Sequence, residues 1–541
     1  MKNLSKVLGS SVVVAACALV LSACGNKGNN SKKQTMTWMD PAELVTMDPS
    51  KYTDQYSCEE LTNTMEGLVR LGKNSKVEPG IATNWKESPD GKTWTFNLRK
   101  NAKWSNGDPV TAKDFVYSWQ RTVSPKTGSE YAYLFDGIHN ATKAAEGKVS
   151  PKSIGVKAEG NNKLVVTLDK RIPYFKLLMG FPLFFPQNQK FVEKTGSKYG
   201  TSSKYTLANG PFVQKGWTGS NLNWKLVKNN TYWDKNKVKL DQINFSVQKT
   251  PSTAYNLYQS NKLDATFLDI NESKQLKGKS GWTVRHADDT YYLQYNMAKD
   301  KNLANKNFRL ALSQAINKKE LANTVGVANE PATSFTAGNT VQVNGKSFGE
   351  AVQSNATKAA QNYNPTAAKA SLKKAEKQLG KKNFTINLLA DDTDIAKKSS
   401  EYIQSQLETN LKGVNVQVQN IPFKSRLARV SAGNFDVVLT GWTADFADPI
   451  SFLQLMAKDN SQNYGKWSNT KFDNLLNKSS NTSNANERLN YLVQADQILL
   501  EDQGVTPLYY GNQAWLVRPS IKNVIYNGAG SPYNFKEAYV N

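Results

Sequence analysis

Between Phe435 and Pro449 the chain reads FDVVLTGWTADFADP. A nearly unbroken apolar run ends at Gly441-Trp442, and after Thr443 and Ala444 comes an acid, Asp445. Asp448 has a local explanation, because Asp-Pro before ISFLQLMA fits a helix N-cap with proline at the first helical position. Asp445 has none, and a carboxylate at the mouth of a buried strand needs one. Other chemistry is sparse. His139 and His286 lie far apart, and neither belongs to an H-E-x-x-H or paired-ligand spacing, so a zinc site is not expected. No G-x-S-x-G elbow occurs, and no EF-hand loop. VNGKS at 343–347 falls short of a phosphate-binding loop, because Thr340 stands where glycine is required; a surface turn is expected. No residue set proposes a catalytic mechanism, and no cofactor is implied.

The elements around Asp445 give it a setting. FTINLLAD (384–391) has the pattern of a strand, and the following segment that of a helix stopped by Gly413. VNVQVQNI (414–421) is again a strand, 423–432 a helix stopped by Gly433, and FDVVLTGW a third strand. This βαβαβ order requires parallel pairing with right-handed crossovers. Ligands of such sheets gather outside the carboxyl ends of the strands, which is where Asp445 falls. The first half of the chain is richer in strands. Asp90-Gly91 marks a hairpin, and Trp94, Phe96 and Leu98 alternate with polar residues. Thr111 with Asp114 resembles a capping box, and Phe115 and Trp119 share one helical face. A second β-rich stretch runs over 210–245. Near the C-terminus, Leu489, Leu492, Val493, Leu499 and Leu500 form a helical stripe, and VTPLYYGNQAWLVRP reads as a strand.

At 541 residues the chain is too long for one ordinary core, so two or more domains are expected. Residues 1–23 read as a secretory signal: Lys2 and Lys6 precede a short apolar stretch, then Ser22 and Ala23. The ending LSAC resembles the bacterial lipoprotein box, which implies cleavage before Cys24 and a lipid on its thiol. Residues 24–34 then form a polar, flexible tether. Only Cys58 is left in the mature chain; no internal disulfide is possible, and a buried structural role is expected for it. The net charge is +24, with lysines scattered along the chain. A nucleic-acid binder would concentrate them, so no nucleic-acid partner is expected, and attraction to an anionic membrane or wall is.

The chain carries 12 Trp, 23 Tyr and 21 Phe, many beside turns, as in GWTADF and PLYYGN. Most belong to cores, yet amphipathic rings also suit a groove for varied organic ligands. AKWSNGDPVTAKDFVYSWQR, NGPFVQKGWTGSNLNWKLVKNNTYWD, FRLALSQAINKKEL and GWTADFADPISFL together resemble the oligopeptide-binding lipoproteins of bacterial ABC importers, from Asp48 to the C-terminus. The resemblance implies an α/β, periplasmic-binding-protein-like fold in which two lobes close on a ligand cleft and an extra domain is inserted. It places lobe I at 35–65, 190–285 and 510–541, the inserted domain at 66–189, and lobe II at 286–509, with hinges near DDTYYLQYN and Leu508–Asn512. It implies a monomeric, non-enzymatic protein, lipid-anchored outside the cell and suited to a Gram-positive surface. Such a protein would deliver oligopeptides to permease and ATPase subunits. Alternatives on the same fold are a signalling-peptide receptor and a binder of a non-peptide solute; a surface hydrolase or chaperone is the rival from another class.

The resemblance also assigns roles. Asp445 of the G-W-x-A-D motif would pair with the ligand's α-ammonium group, and Gly441, Trp442 and Thr443 would form an edge for the peptide backbone. Tyr131 would line the site, with Tyr52 and Asp54 on the opposite strand. Arg426 and Arg429 rank low as partners of a ligand carboxylate, being expected in solvent. Leu439 stands where some relatives have arginine, which puts a preference for short peptides in doubt.

Overall fold

The computed structural model describes residues 34–541. The signal segment, Cys24 and the tether as far as Lys33 lie outside the described residues. Strand β1 (Thr35–Asp40) opens the chain and leads into helix α1 (Gln55–Thr64). Asp54 caps α1 by accepting a hydrogen bond from the Ser57 amide at 2.9 Å. A four-stranded antiparallel sheet follows, from β2 (Ala82–Glu87), β3 (Thr93–Leu98), β4 (Val156–Ala158) and β5 (Lys163–Thr167), in the order β2-β3-β5-β4. The expected alternation in β3 holds: Trp94, Phe96 and Leu98 are buried, and the hairpin turns at Asp90-Gly91. Helix α2 (Ala112–Thr122) buries Phe115 and Trp119 completely, and its capping box is formed, Asp114 accepting from the Thr111 amide at 2.7 Å.

Strands β6 (Phe212–Lys215), β7 (Asn223–Lys228) and β8 (Gln242–Val247) make a second four-stranded sheet with β1, in the order β1-β8-β7-β6; β1 runs parallel to β8. The third and largest sheet takes β9 (Ala265–Phe267), the long β10 (Trp282–Tyr295), β11 (Phe384–Asp391), β12 (Val414–Ile421), β13 (Val437–Thr443) and β14 (Val505–Val517). Its order is β9-β14-β10-β13-β11-β12, with Glu330–Pro331 added against β14. Both β10 and β14 run through the residues at which lobe boundaries are expected from sequence.

The βαβαβ unit is present with nearly the expected bounds. Helix α3 (Asp394–Asn410) joins β11 to β12, and α4 (Phe423–Ser431) joins β12 to β13. Gly433, at φ +71°, follows the C-cap of α4 and stops it there, whereas α3 leaves helical backbone at Leu411, two residues before Gly413 at φ +92° turns the chain into β12. β11 and β12 pair in parallel over their full length, whereas β13 meets β11 only at Leu388–Val437 and Leu389–Val438. On its other side β13 pairs antiparallel with β10 at all seven positions. Beyond Val438, therefore, one edge of β13 from Thr440 to Thr443 has no strand beside it. Helix α5 (Ala485–Glu501) buries Leu492, Val493, Leu499 and Leu500 as its stripe requires, with Leu489 partly buried.

Candidate functional site

The free edge of β13 borders a cavity of 180 Å³, and all seven residues singled out from sequence line it: Tyr52, Asp54, Tyr131, Gly441, Trp442, Thr443 and Asp445. Three parts of the chain meet here. The segment before α1 supplies Tyr52 and Asp54, the short helix after Tyr131 fixes that ring, and the end of β13 brings the rest. Thr443 ties two walls together, its hydroxyl donating to Gln55 Oε1 at 3.0 Å.

Asp445 is buried, and its backbone amide donates to Ser451 Oγ at 2.7 Å. Its Oδ1 accepts from the Tyr131 hydroxyl at 3.0 Å, and its Oδ2 is buried without a hydrogen-bond partner. Burial pushes the carboxyl up to about 8, against the smaller opposing pull of Tyr131 and Ser451. The ring of Tyr131 stands edge-on to Trp442 at 6.0 Å and to Tyr52 at 5.5 Å, so the carboxylate is walled by aromatics. Burial also raises the Tyr131 phenol far above its usual range, with Asp445 as the next cause, so it remains a hydrogen-bond donor. The indole N–H of Trp442 and the Tyr52 hydroxyl are buried without partners. Asp54 has a structural job as the α1 cap, while its Oδ2 is unpartnered and burial raises its carboxyl to about 6.

The description "Bacterial extracellular solute-binding proteins, family 5 Middle" belongs to the family model that matches residues 76–464. The chain belongs to this family. It is 37% identical to the dipeptide-binding protein of Lactococcus lactis subsp. cremoris, over 99% of each chain. Listeria monocytogenes OppA bound to peptide superimposes with a TM-score of 0.90 at 38% identity, covering 94% of this chain and 100% of that one. The Escherichia coli murein tripeptide-binding protein MppA, 30% identical, gives 0.86 over 94% of this chain and 99% of its own. MppA in its unliganded open form, again 30% identical, gives 0.62 over 94% and 98%. The fold is thus the α/β, periplasmic-binding-protein-like one, and the family is one of binding proteins.

In this member of the family one sequence expectation needs correction. Arg426 is not solvated: it is 4% exposed and lines the cavity. Its Nε donates to Asp391 Oδ1 at 2.6 Å and its Nη1 to Thr440 Oγ1 at 3.1 Å. Arg426 and Val430 lie one turn apart and form the buried face of α4, which turns the guanidinium toward the carboxyl ends of the strands. Arg429 points elsewhere, its guanidinium bonding Gln419 Oε1 at 3.1 Å and the Asn434 carbonyl. Leu439 packs in the core against the β10 side of the sheet. Cys58 is buried and lines the cavity, its thiol pushed well up by burial, which suits packing and not nucleophilic attack. His139 is exposed and pairs with Asp169 at 2.7 Å. Among the described residues no group of three or more His, Cys, Asp or Glu could hold a metal ion.

Sequence reasoning missed Asp289, Tyr291 and Asp391, which also line the cavity. Asp391 ends β11, so the rule that draws attention to the carboxyl ends of parallel strands could have found it. For Asp289 the sequence offers only the pair Asp288-Asp289 within a stretch expected to be a hinge.

Proposed function

We propose that the protein captures oligopeptides between two lobes outside the cell and hands them to an ABC permease whose partner subunit hydrolyses ATP. The observation that carries this is Asp445: a buried carboxylate with one unpartnered oxygen, facing a cavity beside an open strand edge. A carboxylate in such a place is stabilised by a cation entering with the ligand, and the α-ammonium of a peptide is one. The edge of β13 from Thr440 to Thr443 can then bond the peptide backbone as an added strand, which gives affinity without reading sequence. Trp442 offers a buried donor and an aromatic wall. Tyr131 holds Asp445 in place, and Tyr52 and Asp54 close the opposite side.

Lobe I comprises 35–65, 190–285 and 510–541, the inserted domain 66–189, and lobe II 286–509, with hinges near 288–296 and 508–512. The weaker superposition on the open form of MppA supports opening and closing about these hinges, with the arrangement here on the closed side. Residues 1–23 direct export, and lipid on Cys24 anchors a monomer to the cell membrane through residues 24–34. The protein turns over no substrate.

The test uses protein lacking residues 1–24, stripped of co-purified ligand by unfolding and refolding. Its tryptophan fluorescence is titrated with peptides of varied length and with the same peptides N-acetylated. Binding of the free-amine set alone is expected. Equal binding of both sets removes the role given to Asp445, and no response to either points to a non-peptide solute.

A further inference from the structure

The acidic and basic groups on the cavity wall do not balance in number. Four carboxylates line it, Asp54, Asp289, Asp391 and Asp445, against two cations, Lys249 and Arg426. Both cations are already engaged. Arg426 holds Asp391 at 2.6 Å, and Lys249 bridges Glu43 at 2.6 Å and Asp392 at 2.7 Å. Asp54 caps α1, and Asp445 is assigned above to the α-ammonium. Asp289 is left over. It is 9% exposed, its Oδ1 is buried without a hydrogen-bond partner, and among the described residues no cation pairs with it. Burial first, and then the like charge of Asp288, push its carboxyl up to about 8 until a cation arrives.

Its place on the sheet says what could reach it. Asp289 stands opposite Thr443 in the β10–β13 register, and Tyr291 opposite Gly441. Directly opposed residues of an antiparallel pair project from the same face, so Asp289 and Thr443 share the face that walls the cavity. Gly441 contributes no side chain there; a Cβ would lie 3.1 Å from the Tyr291 ring. A peptide on the outer edge of β13 lies two strand spacings from β10, about 9–10 Å. Only a long side chain crossing over β13 can meet a carboxylate at that distance, and for the carboxylate to ionise in a closed cleft the side chain must be cationic. With the amino terminus held at Asp445, just past the end of β13, the residues nearest Thr443 are the first few of the ligand.

We propose that Asp289 forms a second cation subsite, through which the protein selects peptides carrying a lysine or arginine side chain within their first three residues. This rests on the peptide-binding function proposed above. The test is calorimetric titration of free-amine alanine peptides, of several lengths, with lysine or norleucine at the first, second or third position. Wild type and Asp289→Asn are compared. In the wild type, lysine at one of these positions should bind about tenfold tighter or more than norleucine. In Asp289→Asn that preference should fall below about twofold, with the norleucine peptide bound as well as before or better. The norleucine affinity also reports that the variant is folded. Equal binding of lysine and norleucine at all three positions overturns the subsite while leaving peptide binding intact, as does a lysine preference that survives Asp289→Asn. If no peptide in the panel binds the wild type, the peptide-binding function itself fails and the subsite with it.

Discussion

Peptide affinity should follow a bell in pH centred near 8, because proton and ammonium compete for Asp445. With its carboxyl at about 8 in the empty cavity, Asp445 is about nine-tenths protonated at pH 7. A peptide's α-amino group, with a pKa of about 7.7–8.0, is then mostly charged. Binding as an ion pair needs the ionised carboxylate and the protonated amine together. The concentration of that combination falls about threefold from pH 8 to pH 7 and about twenty-five-fold from pH 8 to pH 6, the latter equivalent to about 2 kcal/mol. Above pH 8 affinity falls again as the amine loses its proton. At pH 7 complex formation should release about 0.8 of a proton, read from calorimetry in buffers of differing ionisation enthalpy. Asp445→Asn should lose the acid limb, and an N-acetylated peptide should show no bell. A flat affinity between pH 6 and 8, with no proton released and the fold intact by circular dichroism, would refute an ion pair at Asp445.

Further outcomes follow from the same geometry. Without ligand, Asp445→Asn should raise the melting temperature at pH 8 and leave it unchanged near pH 4: a carboxyl raised to about 8 destabilises the fold only as pH climbs above its unfolded value of about 4, and fully above 8. Arg426→Met should cost about 1.5–3 kcal/mol in denaturant unfolding, because half-buried Asp391 loses the charged hydrogen bond it accepts at 2.6 Å, and adding Asp391→Asn should restore much of that. Trp119→Ala, which removes a fully buried indole and its hydrogen bond to the Phe184 carbonyl at 3.0 Å, should cost about 3–5 kcal/mol. Trp442→Phe should remove most of the ligand-induced fluorescence change, since Trp442 is the indole on the cavity wall, without abolishing binding.

What the sequence reveals here depends on how far a side chain's environment is set by its own neighbours. The strands Phe384–Asp391 and Val414–Ile421 have their expected ends because alternation and the stopping glycines are local properties. Asp445 is legible for a related reason: the residue past a strand of a parallel unit faces the ligand side whatever the rest of the chain does. Asp289 is different. The register between β10 and β14 shifts between His286 and Thr290, and this irregularity sets which residues of HADDTYY face the cavity. Its opposite number, Thr443, comes from a segment that no local pattern couples to it. Arg426 fails for the opposite cause, since a helix with several basic residues reads as solvated unless the partner of its buried stripe is known. Asp391 is that partner.

These late-emerging residues decide the charge of the site. Alternation along β13 puts Leu439, Gly441 and Thr443 on one face, and their register partners Leu293, Tyr291 and Asp289 stand beside them. None of the six is a cation, and the position where an arginine would oppose a short peptide's carboxylate holds Leu439, sealed in the core. The guanidinium on the cavity wall, Arg426, is held by Asp391 and Thr440. The face therefore offers an incoming peptide a free carboxylate and no free cation, so a ligand gains from positive side chains and finds no fixed partner for its terminal carboxylate. Peptide length is accordingly not set by a C-terminal clamp on this face, and extending a bound peptide by neutral residues should change its affinity little once the first three positions are filled.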